Sequence, residues 1–103
     1  MPALNVNDVI LGGRLTKEPI LEYTFKNIPV TNILLAINIK EEVDFIEVIA
    51  YGDTAIDVCN HCTINTEVFV KGTLKYFKDI GKLKVKVKKI QFVSRTKLTN
   101  KED

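Results

Sequence analysis

The sequence predicts an all-β barrel of five strands with one short helix between the third and the fourth. Three observations predict it. Apolar, β-branched segments recur along the 103 residues, and Gly, Pro and charged turn residues separate them. The last of these segments alternates lysine with an apolar residue, a period only a strand can use. The one stretch of helical spacing falls near residues 53–62. A helix that interrupts five strands after the third is the layout of an OB-fold barrel.

Each element follows in order. Residues 5–15 (NVNDVILGGRL) form the first strand, with Gly12-Gly13 marking a bulge or a close backbone approach. Residues 29–40 form the longest apolar run. Ile33, Leu35, Ile37 and Ile39 share one of its faces and Leu34 and Ala36 the other, so both sides are expected to be covered. Residues 44–51 follow after a tight turn at Glu41-Glu42, which makes the pair a hairpin. Asp53 or Thr54 is placed to cap the helix, whose apolar stripe is Ala55, Ile56, Cys59 and Cys62. Residues 67–77 and 82–93 form a second hairpin across Lys78-Asp79-Ile80-Gly81. In the last strand Lys82, Lys84, Lys86 and Lys88 fall on one face and Leu83, Val85 and Val87 on the other.

With 46% hydrophobic residues the chain has the composition of a globular domain, not of a disordered one. One domain over residues 1–96 and a polar tail over 97–103 are expected. No spanning segment or secretory signal is visible, so a cytoplasmic protein is expected. The net charge of +2 hides a division: residues 1–70 carry −6, residues 71–101 carry +10 and the last two residues −2. A +10 stretch is either a solvated lysine edge that guards a sheet or a surface for a polyanion.

Catalytic chemistry finds no support. His61 is the only histidine, and no nucleophile motif, phosphate-binding glycine loop or dinucleotide fingerprint accompanies it. Glu41, Glu42 and Asp44 read as a charged turn. Cys59-Asn60-His61-Cys62 lacks the second ligand cluster of a structural zinc site, so the cysteines read as helix packing, with a metal or redox pair as the alternative. No cofactor or metal is expected. What is present is a basic and aromatic pattern. Phe45 and Tyr51 share parity in the third strand, and Lys71, Thr73, Lys75 and Phe77 share parity in the fourth. Such alternation suits single-stranded nucleic acid, where lysines follow phosphates and rings stack on bases. On pattern alone Phe45 and Tyr51 fit a barrel core equally well.

The residues also resemble a family, the bacterial and phage single-stranded DNA-binding proteins. Asn5 to Pro19 is similar to its opening, with Gly-Arg-Leu-Thr at Gly13–Thr16. Tyr23-Thr24, Val30, Asn32, Leu35 and Ala36 follow its second pattern. Asp44-Phe45-Ile46, Val48 and Ala50-Tyr51-Gly52 resemble its third strand, Val68 to Leu74 its fourth and Ile90 to Val93 its last. The resemblance implies an OB-fold that oligomerises, usually as a homotetramer, and wraps single-stranded DNA without base preference. It places stacking rings at Phe45 and Tyr51. Parity adds Arg14, Lys75, Lys82, Lys84 and Lys86 as phosphate contacts, with Lys71 and Phe77 on the same strand face.

This chain departs from the family pattern in four places. It has no tryptophan. Glu47 sits among the lysines. The hairpin between strands two and three is short, so a reduced DNA-gripping arm is expected. The 103 residues stop at Asp103 before any acidic Pro-Phe tip of the kind through which relatives recruit replication and repair proteins, so either such a tail lies beyond them or the protein is expected to act without it. The compact length also resembles the primosomal replication protein, a homodimer, so action through protein partners is the alternative, and RNA binding stays open.

Overall fold

In the computed structural model, which describes residues 3–93, the chain forms β1 (Val9–Leu15), β2 (Glu22–Tyr23), β3 (Pro29–Ile39), β4 (Glu42–Tyr51), α1 (Gly52–His61), β5 (Glu67–Phe77) and β6 (Lys82–Val93). The strands run β1-β5-β6-β4-β3, and β3 returns to β1 through Arg14↔Ala36 and Leu15↔Leu35. That closes a five-stranded barrel. The β4–β6 contact, Val48↔Val85 and Ile49↔Lys86, is parallel, while the other ladders are antiparallel. The two-residue β2 lies on the outer edge of β3 and adds to the five expected strands. The helix therefore sits between β4 and β5, which are the third and fourth long strands. The expected tail over residues 97–103 lies outside the described residues.

Alternation builds the core. Leu15, Ile33, Leu35, Val48, Ala50, Val68, Val70, Val85 and Val87 point inward from the strands, and Ala55, Val58 and Cys62 of the helix segment join them. Val58 takes a core place that the expected stripe omitted, whereas Ile56 and Cys59 stay half-buried. Neither Asp53 nor Thr54 caps the helix. Its N-cap is Tyr51, with no side-chain cap bond, because the strand runs straight into the first turn through Gly52 at φ +66°. The one buried polar side chain among the described residues is Thr31. Its hydroxyl donates to the Ile20 carbonyl at 2.9 Å, which offsets the cost of burying it.

Three local features shape the surface. Gly13 is a close approach, since a Cβ there would lie 2.6 Å from the Ala36 carbonyl oxygen where β1 meets β3. The first strand begins at Val9 and not at Asn5. Ahead of it, the Asn7 side chain both donates to the Leu74 carbonyl and accepts from the Leu74 N–H, each at 2.8 Å, and so pins the preceding segment to β5. The β3–β4 hairpin turns in two residues, Lys40-Glu41, with Lys40 at φ +57°. Residues 38–45 are exposed on both faces, so an arm projects beyond the barrel despite the short loop.

Candidate nucleic-acid interface

Cross-strand partners point to the same side of a sheet, so the pairings define one continuous outer face. Phe77↔Lys82, Lys75↔Lys84 and Thr73↔Lys86 join β5 to β6. Ile49↔Lys86 carries the face onto β4, and Asn32↔Ile49 and Leu34↔Glu47 carry it onto β3. Tyr51 stands beside this row, opposite Val30.

The lysines of this face lie against its rings. The Lys86 ammonium sits 5.5 Å from the centre of the Tyr51 ring, and Lys75 and Lys84 lie 5.6 Å and 5.8 Å from that of Phe77. Each contact stabilises by about 0.5–1 kcal/mol at an exposed site. Lys84 also donates to Asn32 Oδ1 at 2.9 Å, and Lys82 pairs with Glu47 at 3.2 Å. Each ring thus has at least one exposed ammonium beside it. Tyr51 and Phe77 are half-buried outward-facing side chains, and Phe45 is 60% exposed, so none of the three belongs to the core.

The expected site residues fall into three groups. Tyr51, Lys75, Phe77, Lys82, Lys84 and Lys86 come together. Arg14 and Phe45 form a second row, Arg14–Ala36–Phe45, in which the small Ala36 separates them. The Arg14 guanidinium donates to Asn38 Oδ1 at 3.4 Å there. Phe45 is six residues from Tyr51, roughly 20 Å along an extended strand, so the two rings stand well apart. Lys71 stands apart. The ladder slips between Lys71 and Gly72, so Lys71 pairs Lys89 while Gly72 pairs Val87. That bulge leaves Lys88 without a partner and ends the alternation at the Lys88-Lys89 pair. Lys71 then lines a separate depression with Phe69, Lys89 and Gln91. Sequence reading missed Asn32, which accepts from Lys84, and also Phe25, which is 96% exposed at the tip of the β2–β3 turn with the Lys26 ammonium 5.9 Å from its ring centre. A lone asparagine at outward parity in an apolar strand was the available signal for Asn32.

Glu47 places a negative charge among the lysines of this face. Its pair with Lys82 is exposed and stabilises by about 1 kcal/mol at most. Glu47→Gln is expected to leave folding unchanged and to tighten oligo-dT binding by roughly two- to fivefold at low salt. Titration by fluorescence anisotropy measures it.

The two cysteines are packing residues with unequal access. Burial, helped by the neighbouring Cys59, pushes the Cys62 thiol up to about 11 from 9.0. A thiol this protonated is a poor nucleophile at neutral pH. Among the described residues no three His, Cys, Asp or Glu side chains gather as a metal site requires. A thiol reagent should titrate one equivalent, Cys59, in the native protein and the second only after unfolding. The unfolded chain loses the Cys62 proton more readily than the folded one, so this contribution to stability is present below pH 9.0 and is lost as pH rises toward about 11.

The profile of the Single-strand binding protein family matches residues 6–96. A single-stranded DNA-binding protein of Caldanaerobacter subterraneus subsp. tengcongensis is 34% identical over 77 residues, covering 68% of this chain and 51% of that protein. One of Clostridium perfringens is 35% identical over 74 residues, covering 68% and 49%. The chain thus spans about half the length of these curated relatives. The crystal structure of the wild-type single-stranded DNA binding protein from Thermus aquaticus superposes with a TM-score of 0.78 at 29% identity, over 87% of this chain and 41% of that one. A single-strand binding domain from Synechococcus shares the fold at a TM-score of 0.73 and 22% identity, over 87% of this chain and 99% of that one.

Proposed function

Because this chain belongs to the single-strand binding protein family, we propose that it binds and protects single-stranded DNA with broad sequence tolerance in replication, recombination or repair. The observation that carries the reading is the outer face on which Tyr51 and Phe77 each stand under a lysine ammonium. Stacking on such rings contributes about 1–3 kcal/mol per base and ignores base identity, while the lysines neutralise phosphates and release counterions. Lys75, Lys82, Lys84 and Lys86 take the phosphates nearest Tyr51 and Phe77. Arg14 and Phe45 extend the path toward the β3–β4 arm.

Binding, not catalysis, is the proposed activity, carried by the single domain of residues 1–96 in the cytoplasm. Among the described residues no helix is long and apolar enough to cross a membrane. Self-association as a homo-oligomer is proposed through the outer face of β1, β5 and the end of β6, where Ile10, Phe69 and Val93 are 60%, 44% and 44% exposed. Lys71 lies on that side, next to Ile10, and is assigned there and not to the DNA path.

One experiment tests the reading: light scattering and anisotropy with oligo-dT and with duplex of equal length, across a salt series. Single strands should bind far more tightly, with log affinity falling by about 0.7 per neutralised phosphate for each unit of log salt. Equal affinity for duplex would overturn the stacking mechanism.

A further inference from the structure

Glu47 is an anomaly on a face built for phosphate, and its surroundings suggest what it recognises. We propose that Glu47, Asn32 and Lys84 form a subsite that prefers guanine within otherwise tolerant binding. The inference rests on the single-stranded DNA reading above.

A depression of about 140 Å³ opens between β3, β4 and β6, lined by Lys17, Asn32, Ile33, Leu34, Glu47 and Lys84. That is well under the ~300 Å³ at which small-molecule pockets begin, so it suits one flat group. Its hydrogen-bonding groups are oriented. Lys84 holds Asn32 Oδ1 at 2.9 Å, which leaves the amide NH₂ as the free end. Lys82 holds Glu47 Oε2 at 3.2 Å, which steadies the carboxylate while the other oxygen and the remaining lone pairs stay open. Leu34, opposite Glu47 in the ladder, supplies an apolar floor.

The depression therefore offers a carboxylate acceptor beside amide and ammonium donors. Guanine is the DNA base whose Watson–Crick edge carries two adjacent donors, N1–H and N2–H, next to the O6 acceptor. The carboxylate accepts both donors in the bidentate manner, and the Asn32 amide donates to O6. Cytosine and adenine each bring only one amino group to the carboxylate. Thymine places a carbonyl on either side of its single N3–H, so a carboxylate that takes that proton is driven against an oxygen. Guanine is preferred and thymine least. The subsite shares its face with Tyr51 and Phe77, so a base seated there is a neighbour of stacked ones.

The test compares oligo-dT, the same oligomer with every third base guanine, and the same with hypoxanthine in place of guanine, by anisotropy on the wild-type protein, Glu47→Gln and Asn32→Ala. The wild type should bind the guanine oligomer about fivefold more tightly than oligo-dT. Hypoxanthine, which lacks N2–H, should lose most of that gain. Glu47→Gln should abolish the ratio even as its affinity for oligo-dT rises, and Asn32→Ala should reduce the ratio. A wild-type ratio near one, a preference that survives Glu47→Gln, or hypoxanthine equal to guanine each overturns the proposal. Failure of the underlying reading would look different: oligo-dT itself would not bind.

Discussion

Replacing Tyr51 and Phe77 together by alanine should weaken oligo-dT binding by about two orders of magnitude or more while the fold remains intact. Each ring stands for about 1–3 kcal/mol of stacking, and neither is part of the hydrophobic core. The two rings sit on different strands and contact different lysines, Lys86 over Tyr51 and Lys75 and Lys84 over Phe77. Their effects should therefore be close to additive. Tyr51→Phe keeps the ring and should retain most of the affinity. The chain has no tryptophan, so tyrosine emission quenched by DNA in the wild type and less so in Tyr51→Ala provides a direct second readout. Loss of affinity with an unchanged salt slope would identify stacking as what was removed, since the phosphate contacts set the slope.

Gly72→Ala should be the most damaging single methyl in the protein, lowering stability by about 3 kcal/mol or more. Gly72 lies in β5 between Val9 of β1 and Val87 of β6, at the point where the β5–β6 ladder slips. A Cβ there would fall onto the Lys86 carbonyl oxygen, with that carbonyl carbon at 2.9 Å and Val87 Cα at 3.2 Å. All three are backbone atoms held by two ladders, so nothing can rotate aside. For a domain of this size the loss corresponds to a fall in Tm of roughly 12 °C or more, which calorimetry would show. Gly12→Ala is the control. Its Cβ meets only a Phe69 ring carbon at 3.9 Å, and the change should stay within about 0.5 kcal/mol. Because the clash is with Lys86, a folded fraction of Gly72→Ala should also bind DNA less well, through displacement of the lysine that stands over Tyr51.

Much of the fold was legible because period-two alternation is a local property. Val85 and Val87 lie inward and Lys82, Lys84 and Lys86 outward as the alternation required. It failed at Lys88-Lys89, where the bulge inserts one residue, and it could not show that β4 and β6 meet in parallel. Strand pairing across the barrel depends on closure, and closure is written in no single segment. The helix cap failed for a similar reason. Asp53 and Thr54 have the right chemistry, but β4 runs into α1 with no intervening loop to present a cap. Phe45 and Tyr51 could be core or surface from parity alone, since a strand has two faces and the sequence does not label them.

By itself the sequence determined the class of surface. Residues 1–70 carry −6 against +10 in residues 71–101, and the alternating lysines from Lys82 to Lys86 project from one face as strand geometry requires. The tertiary structure decided which of those charges act together. Barrel closure brings Glu47, Asn32, Lys84 and Lys86 from three strands onto one face, while the bulge at Lys88 shifts the β6 register so that Lys71 meets Lys89 and stands beyond that row. The physical reason is range. Alternation is set by the geometry of neighbouring residues, whereas a binding face is set by contacts between residues as much as 52 positions apart, such as Asn32 and Lys84, which only folding brings within reach.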